Sequence, residues 1–377
     1  MHIVIDYTPA VFQGAGIGRH TRGLVQALAP LAEGHQVSLL VFGRPPAGPF
    51  PAPAGFPLRV VPIPNRLLTI AWYRMNLPVP VDWLSGAMDL YHASDFVLPP
   101  VRAARSLLTV HDLSFMTTPQ CAEAGLRDFL SQVVPKAVAR ADHVLADSES
   151  TRRDLIQLLG VPNDKVTVVY PGVETRFCRQ DDPVELQRVR NRHGIGEGPF
   201  ILGVSTLEPR KNWPALIRAW TRLRRENRLP HRLVIAGGKG WLTEGIFEAA
   251  AASGLQSDIV FTGFVADTDL PALYSAADVF ALPSLYEGFG IPVLEAMACE
   301  VPVVCADNSS LPEAAGDAAL LVQALDEQAL ADAILRLVED SALRSQLRER
   351  GLEQARRFTW QAAAGTLLST YERVYHA

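Results

Sequence analysis

Two carboxylates eight residues apart bracket a loop and the start of a helix: Glu287-Gly288-Phe289-Gly290-Ile291-Pro292-Val293-Leu294-Glu295. Pro292 suits the first turn of that helix, where a missing N–H costs nothing. Gly288 and Gly290 carry no Cβ, so the backbone can come close to a ligand. The unpaired N–H groups and positive end of the helix favour an anion such as a diphosphate. Carboxylates are poor phosphate ligands but accept hydrogen bonds from hydroxyls. Hydroxyl ligands flanking an anion site fit a nucleotide-sugar, with a sugar and a ribose on either side of the phosphates. The spacing alone is equally met by a loop Glu and a solvated helix Glu beside a glycine-rich turn.

A basic cluster, Glu208-Pro209-Arg210-Lys211-Asn212, follows the apolar run Phe200–Val204 and opens a helical pattern. Arg presents a planar fork to phosphate oxygens and Lys adds a compact charge, so the pair suits a diphosphate; an exposed basic turn is the plainer reading. Gly14-Ala15-Gly16-Ile17-Gly18-Arg19 follows the strand pattern Ile3–Asp6. It is not a dinucleotide fingerprint, because Arg19 stands where the third glycine belongs and the second strand ends in Val41-Phe42-Gly43 with no acidic residue for a ribose. Gly16 and Gly18 serve either backbone approach to a ligand or tight strand-to-helix packing. Thr109-Val110-His111-Asp112-Leu113 ends another strand and puts His111 at its carboxyl end. Asp112 either orients that imidazole or caps the next helix, and capping is the expectation. Ala236-Gly237-Gly238-Lys239 and Gly263-Phe264-Val265 follow two more strands. Asp267-Thr268-Asp269 opens a helical pattern, where capping is expected rather than metal ligation.

All of these loops need a scaffold that presents strand ends. Apolar runs predict strands at 2–6, 36–42, 58–62, 89–91, 106–110, 143–146 and 166–169, then at 199–204, 232–236, 258–261, 278–282, 302–304 and 319–322. Helical patterns alternate with them, which argues for parallel α/β sheets. A chain of 377 residues exceeds one ordinary core and predicts two domains. The polar, irregular segment after Val166–Gly172 has linker character, so the domains are placed at 1–180 and 181–358, with a final amphipathic helix at 359–377. Doubly wound sheets bind ligands beyond the carboxyl ends of their strands, where every motif above lies. Hydrophobic residues at 48% and charged residues at 20% mark a globular chain, and a net charge of −5 argues against general nucleic-acid binding. The four cysteines show no CxxC spacing and read as reduced thiols. No signal-peptide pattern or run of ~20 apolar residues is present, so the expected location is cytoplasmic. The segment Arg66–Met75, apolar and aromatic with basic ends, fits either an interfacial helix at the inner face of a membrane or a helix packed in the first domain.

Glu-x7-Glu with a Gly-Phe-Gly-x-Pro interior, within Ser284-Leu285-Tyr286 to Ala296-Met297, resembles the donor site of the retaining family-4 glycosyltransferases. The Arg-Lys-Asn, glycine-rich and Thr-Val-His-Asp-Leu segments extend the resemblance over essentially the whole chain. It implies the GT-B fold: two Rossmann-like doubly wound domains facing across a cleft, with the last helix crossing back onto the N-domain from Phe358-Thr359-Trp360. It implies transfer of a hexose from a nucleoside diphosphate sugar, held by the C-domain, to an acceptor hydroxyl held mostly by the N-domain. Arg210 and Lys211 would then stabilise charge growing on the leaving diphosphate. The N–H groups of Phe289 and Gly290, next to Gly288, would hold sugar hydroxyls and phosphate. Glu287 would bond the transferred sugar and Glu295 the ribose. Gly16, with Gly18 next, would bring a backbone N–H to the donor phosphate or the acceptor. His111 would lie near the reacting sugar, bonding a hydroxyl or steadying the acceptor, without serving as general base. Gly237 and Phe264-Val265 would lie beside the nucleobase. No cofactor or metal is expected, since two basic side chains and a helix N-terminus can replace a cation's charge.

The Gly-Ala-Gly-Ile-Gly-Arg-His-Thr segment is similar to bacterial mannosyltransferases that use GDP-mannose in polysaccharide or O-antigen assembly. Related enzymes use UDP-sugars with nearly the same motifs. The expected partners are therefore a nucleotide-sugar, GDP-mannose first, and a saccharide or lipid-linked saccharide. Two rivals share the fold: a UDP-sugar epimerase, which makes product from the donor alone, and a non-catalytic nucleotide-sugar sensor.

Overall fold

A computed structural model describes residues 1–14, 16–46, 52 and 55–377. The chain forms two compact units. The first comprises residues 1–113, 128–172 and 359–377, and the second residues 114–127 and 173–358. This division differs from one cut near residue 180. Residues 173–180 go with the second unit, and so does the excursion 114–127, where the Cys121 carbonyl accepts from the Trp241 indole at 2.8 Å.

The first unit holds β1 (His2–Asp6), β2 (Gln36–Phe42), β3 (Leu58–Val61), β4 (Leu90–Ala93), β5 (Arg105–Val110), β6 (His143–Ala146) and β7 (Val166–Val168). All are parallel, in the order β3-β2-β1-β4-β5-β6-β7. Parallel strands covered on both faces read as continuous apolar runs, which is why the sequence places them. The strand order reverses between β1 and β4, and such a switch point opens a crevice at the carboxyl edge. The helices Ile17–Leu28 and Trp360–His376 pack on this sheet. Their Leu24, Leu28, Ala364, Leu367 and Tyr371 share one core with Ile3, Ile5 and Leu39. Thr359 caps the terminal helix by accepting from the Ala362 N–H at 3.2 Å. Trp360 fits so closely against Gly23 that a Cβ there would lie 2.4 Å from the indole. The Phe-Thr-Trp segment thus supplies a cap and an anchor.

The second unit holds β8 (Phe200–Val204), β9 (Arg232–Ala236), β10 (Ile259–Gly263), β11 (Val279–Leu282), β12 (Val303–Ala306) and β13 (Ala319–Val322). These too are parallel, in the order β10-β9-β8-β11-β12-β13, with a switch point between β8 and β11. Every strand end lies within two residues of its expected place. Asp269 departs from expectation: its side chain does not cap the helix Leu270–Ser275. The carboxylate is buried and instead takes Arg188 at 2.7 Å and His193 at 3.1 Å, because the cations Arg188 and Arg192 of the helix Pro183–Arg192 outcompete a backbone N–H.

Among the described residues no helix is long and apolar enough to cross a membrane. In the Arg66–Met75 segment Leu68 and Trp72 are buried, while Leu67 and Met75 are exposed. The segment therefore packs on the first unit with one side and leaves apolar groups on the other.

Candidate functional site

In the second unit the loops after β8, β11 and β12 converge. Asn212 ends a short Pro209–Lys211 turn at φ +55°, a left-handed conformation that Asn tolerates. Its side-chain amide donates to the carbonyls of Pro283 at 3.1 Å and Ala324 at 2.7 Å, and the Leu285 N–H donates to the Arg210 carbonyl at 2.8 Å. These bonds tie the basic turn to the Glu287 loop. Lys211 Nζ then lies 2.8 Å from both oxygens of Glu287. Arg210 donates to Glu287 Oε2 at 3.1 Å, to the Tyr286 carbonyl at 2.9 Å and to Glu208 Oε1 at 2.7 Å. The Ser284 hydroxyl donates to Glu287 Oε1 at 2.7 Å. The Glu287 backbone is fixed as well, its N–H on Ser309 Oγ and its carbonyl on the Ser310 hydroxyl, both at 2.9 Å.

Glu287 is 7% exposed. Burial alone would raise its pKa, but the charges of Lys211 and Arg210, with hydrogen bonds from Lys211 and Ser284, hold it down at about 2. A carboxylate has about four lone-pair sites, and two bonds from Lys211 with one each from Arg210 and Ser284 fill them. Glu208, Glu287, Arg210 and Lys211 form a quartet of zero net charge. The residues expected separately on sugar and diphosphate are therefore joined to one another. Glu287 fixes the two cations in place.

Gly290 lies at φ +109° and begins the helix Ile291–Ala298; a Cβ there would fall 2.8 Å from Leu311 Cδ2. Gly288 and Phe289 precede it, with the Phe289 ring buried against Phe358 at 5.2 Å. Glu295 is 1% exposed and accepts from the Tyr274 hydroxyl at 2.9 Å. Gly237 is demanded by packing, since a Cβ would stand 1.9 Å from the Ser205 carbonyl oxygen, and its N–H donates to the Gly263 carbonyl at 2.9 Å. Beyond β10, Val265 is buried while the Phe264 side chain is 63% exposed.

In the first unit His111 follows β5. Its Nδ1 lies 2.8 Å from Asp147 Oδ2 and its Nε2 3.0 Å from the Ser94 carbonyl. The partner that orients the ring is thus Asp147, not the adjacent Asp112. Val110 pairs with Ala146, so the next residues of β5 and β6 emerge side by side. Burial alone would lower the His111 pKa; the Asp147 charge and hydrogen bond, with Asp95 adding, hold it up at about 9. His20 packs edge-on at 4.9 Å between ring centroids, and burial pulls its pKa to about 4. His20, His111 and Asp147 bring their ligand atoms within 4.8 Å of one another. His111 Nδ1 and Asp147 Oδ2 are within hydrogen-bond distance of each other. Gly18 has a packing reason, a Cβ there falling 1.8 Å from the Gln13 carbonyl oxygen. Gly16 has a backbone reason instead, φ +43° with open space around it. Ala15, within the same loop, lies outside the described residues.

Sequence reasoning did not single out Asp147, Ser94, His20, Ser309 or Ser310. Asp147 was findable, because it stands directly after β6 as His111 stands after β5. The serines carry no comparable signal.

Residues 14–177 match the family described as Glycosyltransferase Family 4, and residues 187–354 match Glycosyl transferases group 1. The chain is 31% identical to O-antigen chain mannosyltransferase B of Escherichia coli, over 99% of this chain and 100% of that protein. It is 27% identical to the serotype-specific mannosyltransferase WbdA of Escherichia coli, over 99% of this chain and 48% of that one. Among solved structures, sucrose-phosphate synthase from Thermosynechococcus elongatus aligns with a TM-score of 0.80 at 20% identity, covering 100% of this chain and 99% of that one. Anabaena HepE, solved in complex with UDP and glucose, aligns at 0.73 and 20%, covering 98% and 99%. At such identities the structures speak to the fold. With both units matched and a full-length relative at 31% identity, the chain belongs to the family-4 glycosyltransferases of GT-B fold and is a glycosyltransferase.

Proposed function

We propose that the protein transfers mannose from GDP-mannose, with retention of configuration, to a hydroxyl of a saccharide or lipid-linked saccharide in the assembly of an O-antigen-like polysaccharide. The full-length likeness to mannosyltransferase B supports the sugar. The observation that carries the chemistry is the buried quartet around Glu287, which holds two cations at the carboxyl edge of the second sheet before any ligand arrives.

The second unit takes the donor and the first the acceptor. Arg210 and Lys211 stabilise charge on the departing diphosphate, where preorganised donors in a water-poor site help most. The N–H groups at Gly288, Phe289 and Gly290 face the phosphates and sugar hydroxyls at a helix start. Glu295 holds the ribose by exchanging its bond to Tyr274, and Gly237 with Phe264-Val265 borders the base. Gly16 brings the backbone near the ligand. The acceptor oxygen bonds to the sugar's anomeric carbon as the carbon–phosphate-oxygen bond breaks. The electron pair leaves with the diphosphate, and the same phosphate takes the acceptor's proton. Two side-chain cations and a helix start do the work that a metal does elsewhere. A cytoplasmic site of action, with Leu67 and Met75 beside Arg66 and Arg74 touching a membrane surface, suits a lipid-linked acceptor.

Thermal unfolding with GDP, UDP, ADP and their common sugars tests the donor, since a ligand bound only by the folded state raises its stability. Stabilisation by GDP and GDP-mannose alone supports the proposal. A response to UDP-sugars alone refutes the donor, and product formed from such a donor without acceptor would assign an epimerase instead.

A further inference from the structure

We propose that Asp147 is a positioning residue that keeps His111 doubly protonated, and that His111 acts on the acceptor sugar as a cationic hydrogen-bond donor rather than as a base. The inference rests on the acceptor-side role given to His111 above and goes beyond it by assigning the ring's charge and the residue that sets it.

His111 is buried with an acceptor facing each ring nitrogen: the Asp147 carboxylate at Nδ1, 2.8 Å away, and the Ser94 carbonyl at Nε2, 3.0 Å away. A neutral imidazole has one N–H and one lone pair. Whichever tautomer it adopted, one nitrogen lone pair would point at an oxygen lone pair. Only the imidazolium satisfies both contacts. The sheet builds this arrangement: β4 and β6 flank β5, so Ser94 and Asp147 stand on either side of His111 at one carboxyl edge.

The other groups around the ring agree. Asp95, after β4, is a second carboxyl group whose charge favours the cation. His20, on the helix Ile17–Leu28, is buried and uncharged, and its Nε2 lies 3.4 Å from Asp147 Oδ1 without a hydrogen bond, so it does not displace His111 from the carboxylate. Phe96 closes another side with its ring edge-on at 5.5 Å. Among the described residues, the charges named as acting on the ring, Asp147 and Asp95, both favour the cation.

The consequence for transfer follows from the proton count. With Nδ1–H fixed on Asp147, the Nε2–H now on the Ser94 carbonyl is the one a sugar hydroxyl can take over. An imidazolium has no lone pair and accepts no proton from that hydroxyl. A His serving as base, as an epimerase would need, is therefore not available at this position.

The test has an arm that needs no variant. The His111 ring signal, assigned by its loss in His111→Gln, is titrated by NMR. It should stay protonated through neutral pH; a midpoint below pH 7 overturns the proposal. In Asp147→Asn, which keeps the shape and one acceptor but removes the charge, the midpoint should fall by about 1–3 units. Above the new midpoint the acceptor KM should rise while donor Kd stays unchanged; an unmoved midpoint overturns Asp147's role. His111→Gln that keeps full transfer and acceptor KM overturns the donor role of His111. The titration is readable whatever sugar the enzyme uses, so a failed mannose assignment does not obscure it.

Discussion

Replacing Glu287 by Gln asks how much the buried quartet is worth. The folded-state pKa of Glu287 is held at about 2 against an ordinary 4.5. At 1.36 kcal/mol per unit, the depression corresponds to roughly 3 kcal/mol of stability at neutral pH. The group is nearly fully buried, so solvent screening takes little from that figure. Because its pKa is depressed on folding, the contribution is complete above about pH 4.5 and is lost as pH falls through about 2. By the same relation somewhat under half of it survives at pH 3. Glu287→Gln should therefore lower stability by roughly 3 kcal/mol at pH 7, with a further cost for leaving Lys211 buried beside a neutral amide. The gap between variant and wild type should narrow by about 2 kcal/mol between pH 7 and pH 3. Urea unfolding followed by tryptophan fluorescence reads both units, since Trp213 and Trp220 are buried in the second and Trp72 and Trp360 in the first. Other carboxylates cancel in the difference between the two proteins. A gap under about 1 kcal/mol at pH 7, or one that is the same at pH 3, would refute the reading of Glu287 as the charged holder of both cations.

Lys211→Ala should lower turnover by about 10²–10³-fold while changing nucleotide Kd less than tenfold, measured by steady-state kinetics and calorimetry; the reverse pattern would assign Lys211 to ground-state binding. Phe264→Ala removes an exposed side chain and should leave stability within about 0.5 kcal/mol. Any loss of nucleotide affinity then reports a contact with the ligand, and unchanged affinity removes the Phe264 side chain from the base site. Trp360→Ala should cost about 3–5 kcal/mol in the first unit, read by denaturant unfolding. A cost below 1 kcal/mol would mean that the terminal helix is held without its tryptophan.

Much of the architecture is present in the order of residues. Strands covered on both faces need no polar partner along their length, so Phe200–Val204 or Val279–Leu282 can be read as unbroken apolar runs. Pro292 marks a helix start for a local reason, its missing N–H. The placement of Arg210, Lys211, Glu287 and His111 after strands follows from the same local patterns, and so does the expectation of a ligand edge.

What the sequence cannot contain is which strand ends become neighbours. Lys211 and Glu287 are 76 residues apart, and they meet only because β8 and β11 are adjacent at the switch point of the second sheet. That pairing joins two expected phosphate ligands and one expected sugar ligand in one cluster, which Glu208 brings to zero net charge. His111 found Asp147, 36 residues away, instead of Asp112, because β5 and β6 are in register. Gly16 and Gly18 look alike in sequence, yet only Gly18 has a carbonyl oxygen where its Cβ would be. Asp269 was drawn from capping to a cluster of cations on another helix. Local propensity and periodicity fix elements, because they act within a few residues; charge, protonation and tight packing at the site depend on contacts between distant segments, and those exist only once the sheets have formed.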